Sequence, residues 1–424
     1  MMKKICLLIF LFCPFLLNGE IFLLKIEGPI ETITEEYIAD SFKEVKSAMD
    51  AKLVIIQIDT SGGFDTSMRA IIKEILASPA PVAVYVSPRG ARAGSAGFFI
   101  TIAADIAAMA PGANMGAAHP VSVTGTQIED TMKEKVTNDA AAYARSLAKS
   151  RNRNEDLSEK AVRESKSYTS EECLKNSLVE YIAEDMENLL QQLEGKEIRM
   201  TNGQTFTLKL KDEKITPLEM SARQKFLKTI TNPTLAYFLL IFGLIGLYIE
   251  FTHAGAIIPG VLGGISLLLA FLAFQVLPIN YVGLFLIILS IGFFIAEIKI
   301  QGFGAFGVGG IVSFVLGSIM LVNSPIPEMR PAMSMIIMLA VFFGAMFMFL
   351  TYKVIQAMKM KTATGVEGMT GETGEARTDI TPSSGKVFVH GEWWNAVADE
   401  TLPEGSKVTV ESMANFVLKV KKVS

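Results

Sequence analysis

Cysteine is nearly missing from this chain. Cys6 and Cys13 fall in the apolar opening stretch, and Cys173 stands alone beyond it. With the opening stretch removed, no intramolecular disulfide can form, and a cysteine-type zinc site is excluded. Histidine is as sparse. His119, His253 and His390 lie far apart in sequence, which argues against a metal enzyme; no cofactor is expected. A basic excess is also missing. The net charge is −4, so nothing in the balance points to nucleic acid. The polarity of an ordinary soluble protein is lacking too: 50% of residues are hydrophobic and 19% charged, with a mean hydropathy of +0.39. That is too apolar for a soluble protein and too charged for one lying wholly in a membrane. The 424 residues leave room for two or three domains of different character.

What is present begins with an address. Lys3 and Lys4 precede a short apolar run, Ile5 to Leu17, and Asn18-Gly19-Glu20 offers small residues for cleavage. The run is short and contains Pro14, so residues 1–19 read as a secretory signal peptide and not as a spanning helix. Left uncut, the segment would be an anchor with the same orientation.

From Ile21 to about Lys196 strand and helix patterns alternate. Ile21–Ile26 is a strand, Glu35–Met49 carries helical spacing, and Leu53–Asp59 is a buried strand. Thr60-Ser61-Gly62-Gly63-Phe64 follows, then a helix from Asp65 to Ala77. Pro81–Val86 is the next strand; Arg89 to Gly97 is rich in glycine and alanine, and Ala96–Ala104 reads as a buried helix. Alternating units of this kind predict a parallel sheet with helices on both faces. Ser95 thus sits at a strand-to-helix turn, where free N–H groups and the helix dipole gather. The Gly62-Gly63 turn can bring a second set of backbone amides to the same sheet edge. One unit would supply a nucleophile, the other an oxyanion donor. The plainer alternative is a glycine turn with a capping serine.

The order Ser61-Gly62-Gly63-Phe64, Ala93-Gly94-Ser95-Ala96-Gly97, then Gly112-Ala113-Asn114-Met115-Gly116-Ala117-Ala118-His119-Pro120 resembles the Clp/crotonase superfamily. It is most similar to the membrane-bound Clp-class serine proteases of the nodulation-efficiency-protein-D (NfeD) family, and the resemblance runs through nearly the whole chain. It implies an α/β Clp-like protease domain over residues 20–196. It also selects between two lysines on a helix expected over Ile128–Ser150. Lys133 and Lys135 point to opposite faces, and the run Glu134–Ala140 resembles the segment where these proteases place their catalytic lysine. The implied site is a Ser95–Lys135 dyad with an oxyanion hole formed by the backbone of Gly62 or Gly63 together with Ala96. A free lysine has a pKa of about 10.4, so the dyad calls for burial of the amine. His119 is the alternative base, since the soluble Clp peptidases carry their histidine in a comparable turn.

Residues 197–228 read as a hairpin around Asn202-Gly203 followed by a basic amphipathic juxtamembrane linker. Apolar segments at about 234–250, 256–276, 281–297, 303–322 and 332–352 predict about five membrane helices within 229–352. Glu250, Gly255, Gly260 and Gly264 match Glu297, Gly302, Gly307 and Gly310 at an offset of 46–47, so a glycine-lined hairpin is duplicated. Both glutamates end an apolar run; they read as helix-end carboxylates, with a buried gating pair as the other reading. After a linker at 353–364, residues 365–424 show short alternating strands that predict a small β-barrel. Gly391–Ala396 resembles the OB-fold domain of the same family. The two tryptophans there are expected to be partly core, and the barrel to be a protein-interaction module.

The chain is therefore expected to be multi-domain: an α/β Clp-like protease domain, a transmembrane helical bundle and an all-β OB-fold. The resemblance implies an integral membrane serine endopeptidase acting on apolar, membrane-proximal peptides, a stomatin-like membrane partner and self-association in the lipid. The protease domain is expected outside the cytoplasm and, with five spans, the OB domain inside; four spans would place the OB domain outside. Two other classes share features of this reading. One is a non-catalytic membrane scaffold that keeps the fold. The other is an acyl-CoA enzyme of crotonase type, against which export and five spans argue.

Overall fold

The computed structural model describes residues 19–423 apart from 49, 123–128, 201–202, 254, 256, 301–303, 325 and 360–365. The signal segment expected at 1–19, Gly19 apart, lies outside the described residues.

In chain order the first part comprises β1 (Glu20–Glu27), α1 (Thr32–Ser47), β2 (Ala51–Asp59), α2 (Asp65–Leu76), β3 (Val82–Val86), β4 (Arg92–Gly94), α3 (Ala96–Ala103), β5 (Ile106–Met109), β6 (Asn114–Gly116) and α4 (Asp130–Ser150). There follow α5 (Glu155–Arg163), β7 (Ser167–Thr169), α6 (Ser170–Lys175), β8 (Tyr181–Ile182), α7 (Met186–Leu193), β9 (Glu197–Arg199), β10 (Thr205–Thr207), β11 (Lys214–Pro217) and α8 (Ala222–Ile230). Six strands form one parallel sheet in the order β11-β1-β2-β3-β5-β8. The runs that make β2 and β3 are almost continuously apolar because both faces of such a sheet are covered. The basic stretch expected as a linker instead supplies β11, the edge strand beside β1. Tyr37 on α1 donates its hydroxyl to Leu218 O at 2.6 Å and so ties down the end of that strand.

A second, three-stranded sheet, β4-β6-β7, stands at the C-terminal end of the first. It is joined there by the bridge between Thr60 and Ala93. Two of these three-residue strands, β4 and β6, lie in glycine-rich segments. Beyond α4 the chain runs through α5, α6 and α7, separated by the short strands β7 and β8.

Every residue of α3 is buried. A helix with no wet face has no water for its last carbonyls, and two arginines from the end of α4 serve instead. Arg153 donates to Ile102 O at 2.8 Å and Ala104 O at 2.9 Å, and Arg151 to Ala103 O at 3.0 Å. Arg153 is in turn held by both oxygens of Glu180, at 2.8 and 2.7 Å, a bidentate pairing. The far end of the Ser95 helix is thereby fixed to the sheet.

The apolar helices are α9 (Pro233–Thr252), α10 (Ile257–Phe274), α11 (Tyr281–Ile300), α12 (Ala305–Leu321) and, after a 3-10 turn at Pro327–Met329, α13 (Met333–Lys359). Among the described residues four are long and apolar enough to cross a membrane; α12, at 17 residues, is shorter. At 1.5 Å per residue it reaches about 26 Å against a hydrocarbon core of about 30 Å. The five expected spans are thus four of full length and one short apolar helix. Glycines let paired helices approach closely. A Cβ on Gly246 would lie 2.8 Å from the Cα of Gly263, and one on Gly317 would lie 2.8 Å from Gly283 O. Glu297 accepts the N–H groups of Gly304 and Gly307 at 2.7 and 3.1 Å, so this carboxylate caps the start of α12.

The chain divides into two units, the second made of residues 297–307 and 342–424. Within it lie a short helix, α14 (Val366–Met369), and β12 (Thr373–Ala376), β13 (Lys386–Val389), β14 (Glu392–Val397), β15 (Lys407–Ala414) and β16 (Val417–Lys422). The five strands close into a barrel in the order β12-β13-β14-β16-β15, around Val387, Val389, Val408, Val410, Leu418 and Val420. This is the five-stranded OB architecture. The tryptophans differ from the expectation that both are partly core. Trp394 packs against the barrel core, whereas Trp393 is 62% exposed.

Candidate active site

Ser95 is the residue at which β4 ends and α3 begins. Its backbone, at φ 48° and ψ −111°, is in a region a non-glycine residue enters only under constraint. The constraint is visible: Gly94 N–H donates to Thr60 O at 3.0 Å and Ser95 N–H to Gly116 O at 2.8 Å, so the turn is pinned on both sides. The next two amides, of Ala96 and Gly97, open the first turn of α3, where a helix has no internal acceptor for its N–H groups.

The turn after β2 faces this elbow. A Cβ on Gly62 would stand 2.7 Å from the Ser95 Cβ, and one on Gly63 would stand 2.0 Å from Ile30 O, so neither position admits a side chain. Of the two amides the sequence leaves open as oxyanion donors, Gly62 N–H is committed to Thr60 Oγ1 at 3.0 Å. Among the described residues, Gly63 N–H is the free member of the pair. Ile30 clamps the turn by donating to Gly62 O and accepting from Phe64 N–H, each at 2.8 Å.

Both turns open on one cavity of about 420 Å³. Ser61, Gly63, Ser95, Ala96 and His119 all line it, and Met68, Phe99, Val136 and Ala140 give it apolar walls. The charged residues on its rim are paired. Arg69 on α2 binds Asp65 at 2.9 Å and Asp139 on α4 at 2.5 Å, and lies 4.5 Å over the Tyr143 ring. The sequence-expected site residues therefore meet, with one exception. Lys135 is exposed on α4 and does not line the cavity; Asp139, one turn further on, does. Lys133 is exposed as well. His119 Nδ1 lies 3.0 Å from Val162 O and, toward a carbonyl, can only donate. Its Nε2 is then the nitrogen left for other work. Ser61 was not singled out from the sequence. Its hydroxyl is buried and without a partner among the described residues, and the residue lines the cavity.

Glu31, next to the clamp residue Ile30, is 6% exposed. Burial raises its carboxyl to about 7, against the opposing pull of Lys228 on α8. Below about pH 4.5 the group is protonated in folded and unfolded chains alike. As pH rises towards 7 only the unfolded chain ionises, so folding loses about 3 kcal/mol across that window. Glu31→Gln should abolish this loss. Thermal unfolding of the full-length protein in detergent at pH 5 and pH 8 would read it, and equal declines in variant and wild type would clear Glu31 of the effect.

Comparison with known proteins agrees with this architecture. Residues 20–202 match the NfeD1b N-terminal domain, 234–353 the NfeD integral membrane domain and 366–422 the NfeD-like C-terminal, partner-binding domain. The chain is 34% identical over 423 residues to the membrane-bound protease PH1510 of Pyrococcus horikoshii, covering 97% of this chain and 95% of that one. It is 25% identical over 310 residues to the membrane protein NfeD1b of Bacillus subtilis, covering 69% of this chain and 65% of that one. A solved structure, the 1510-N membrane protease specific for a stomatin homolog from Pyrococcus horikoshii, is 30% identical with a TM-score of 0.44 and covers 50% of this chain and 98% of its own. The near-complete match to the archaeal protease, together with the three family domains in order, makes this chain an integral membrane protein that belongs to the NfeD family of membrane-bound proteases.

Proposed function

We propose that the protein is a serine endopeptidase that cleaves apolar, membrane-proximal peptide segments with Ser95 as nucleophile and Lys135 as general base. The observation that carries this reading is the Ser95 elbow facing the free Gly63 amide across a common apolar cavity. Lys135 Nζ takes the proton of Ser95 Oγ as the oxygen adds to the scissile carbonyl carbon. The N–H groups of Gly63 and Ala96 hold the resulting oxyanion. Collapse expels the amine, which receives the proton from Lys135, and leaves an acyl group on Ser95. Lys135 then deprotonates the water that hydrolyses the ester. No cofactor enters the cycle. The substrate class that goes with this reading is a stomatin-like membrane protein, as for the archaeal protease, and the C-terminal barrel is its docking module. Exported protease domain, cytoplasmic barrel and self-association belong to the same proposal.

A second reading rests on a specific observation: His119 lines the cavity with Ser95 and Lys135 does not. His119 would then be the base, with Nδ1 oriented by Val162 O. One experiment separates the two. The full-length protein in detergent is treated with a fluorophosphonate probe, and the label is mapped by mass spectrometry. Label on Ser95 that is lost in Lys135→Ala and kept in His119→Ala supports the dyad; the opposite pattern supports histidine. A wild-type chain that takes no label counts against catalysis and for a scaffold.

A further inference from the structure

The cavity around Ser95 is not closed by the protease domain alone. Two of its lining residues, Ile326 and Pro327, come from the connection between α12 and α13, more than two hundred residues further along the chain. That connection is held firmly. Arg330 donates through Nε to Ser324 O, Ile326 N–H to Ser324 Oγ at 3.2 Å and Met329 N–H to Ile326 O at 3.0 Å. Ala332 N–H donates to Thr234 Oγ1 at 2.9 Å, which anchors the connection to the start of α9. Glu328 forms an ion pair with Arg92, three residues before Ser95 on β4. A loop set by the membrane helices is thus latched beside the nucleophile.

We propose that Ile326 and Pro327 form an apolar subsite that selects a substrate side chain flanking the scissile bond. The proposal rests on the peptidase reading above and adds to it the residues that choose the substrate. The side chains of Ile326 and Pro327 have no charge or donor with which to receive a polar side chain, the Ile326 N–H is already given to Ser324, and the charged residues of the cavity rim are already paired. An acidic side chain placed against them would lose its water and gain no partner. Because the loop joins two membrane-associated helices, a side chain seated there belongs to a segment at the membrane surface. The preference for apolar, membrane-proximal peptides then follows from where the wall comes from.

The test uses the full-length protein in detergent and a set of fluorogenic peptides in which each position near the scissile bond is in turn Leu or Asp. The wild-type chain should favour Leu at one position by about tenfold or more in kcat/KM, the discrimination expected of an apolar pocket. Ile326→Asp should bring that ratio near one, chiefly through KM, whereas Ile326→Val should keep it. Glu328→Arg sets like charges opposite each other at the Arg92 latch; it should raise KM for the Leu peptide several-fold with little change in kcat. Fluorophosphonate labelling of Ser95 reports separately on an assembled catalytic centre. An Ile326→Asp chain that labels and keeps the wild-type ratio at every position overturns the subsite. So does a wild-type chain that labels but shows no preference for Leu. A wild-type chain that neither labels nor cleaves removes the peptidase reading itself, and the subsite with it.

Discussion

Ser95→Ala is expected to lower kcat for peptide cleavage by about a millionfold, with peptide affinity and thermal stability unchanged. The size follows from what is removed. Loss of the nucleophile from a catalytic unit of this kind leaves only the contribution of the oxyanion donors and of binding. The retention of fold follows from the backbone. The unusual φ of 48° is imposed by hydrogen bonds from Gly94 and Ser95 N–H to Thr60 and Gly116, and these involve main chain only. Alanine keeps the Cβ, so the strain is the same and only the hydroxyl is lost. Initial rates with a fluorogenic peptide, read beside isothermal peptide binding and a melting curve, separate the three quantities. A residual rate within tenfold of wild type would sink the assignment and direct attention to Ser61, the other hydroxyl that lines the cavity.

How much of this site was legible in the sequence depends on the length of the element that carries each residue. β2 and β3 are long apolar runs, so the two turns that follow them, and hence Gly62, Gly63 and Ser95, could be placed from pattern alone. The strands β4, β6 and β7 have three residues each, too short for any alternation to be seen. β11 reads as a basic link because an edge strand with one wet face carries no strong apolar signal. The choice between Gly62 and Gly63 as donor is decided by the Thr60 side chain, and no spacing rule encodes it. Arg153 looks like one more charge in a polar stretch, and its role appears only when the carbonyls of α3 come to meet it. Ile326 and Pro327 could not be assigned at all, since the contact is made by tertiary folding between segments far apart in the chain. Local chemistry was legible; closure of the site by distant segments was not.

Lys135→Ala is expected to reduce kcat by about 10²- to 10⁴-fold, the usual contribution of a general base, whereas Lys133→Ala should leave it within about twofold. The structure holds Lys135 in water, so this role depends on what a bound peptide does to it. Along α4 the residues from Asp130 to Asn138 are exposed or half-buried, and full burial begins at Ala140. Val136 and Asp139 nevertheless line the cavity. On a helix, Lys135 and Asp139 are four residues apart and so lie one above the other, about 40° round the axis. A peptide bound against Val136 and Asp139 would therefore cover the lysine stem as well. Stripping water from an ammonium favours its neutral form, which is the form that can take the serine proton. The base would thus be completed by the substrate, and an empty site would hold it inactive. Two readouts distinguish this from a structural role. The rise of kcat with pH should vanish in Lys135→Ala, and small primary amines added to that variant should restore part of the rate, while Lys135→Arg should remain as inactive as the alanine variant. Full activity in Lys135→Ala with loss in His119→Ala would transfer the base to the histidine that already lines the cavity.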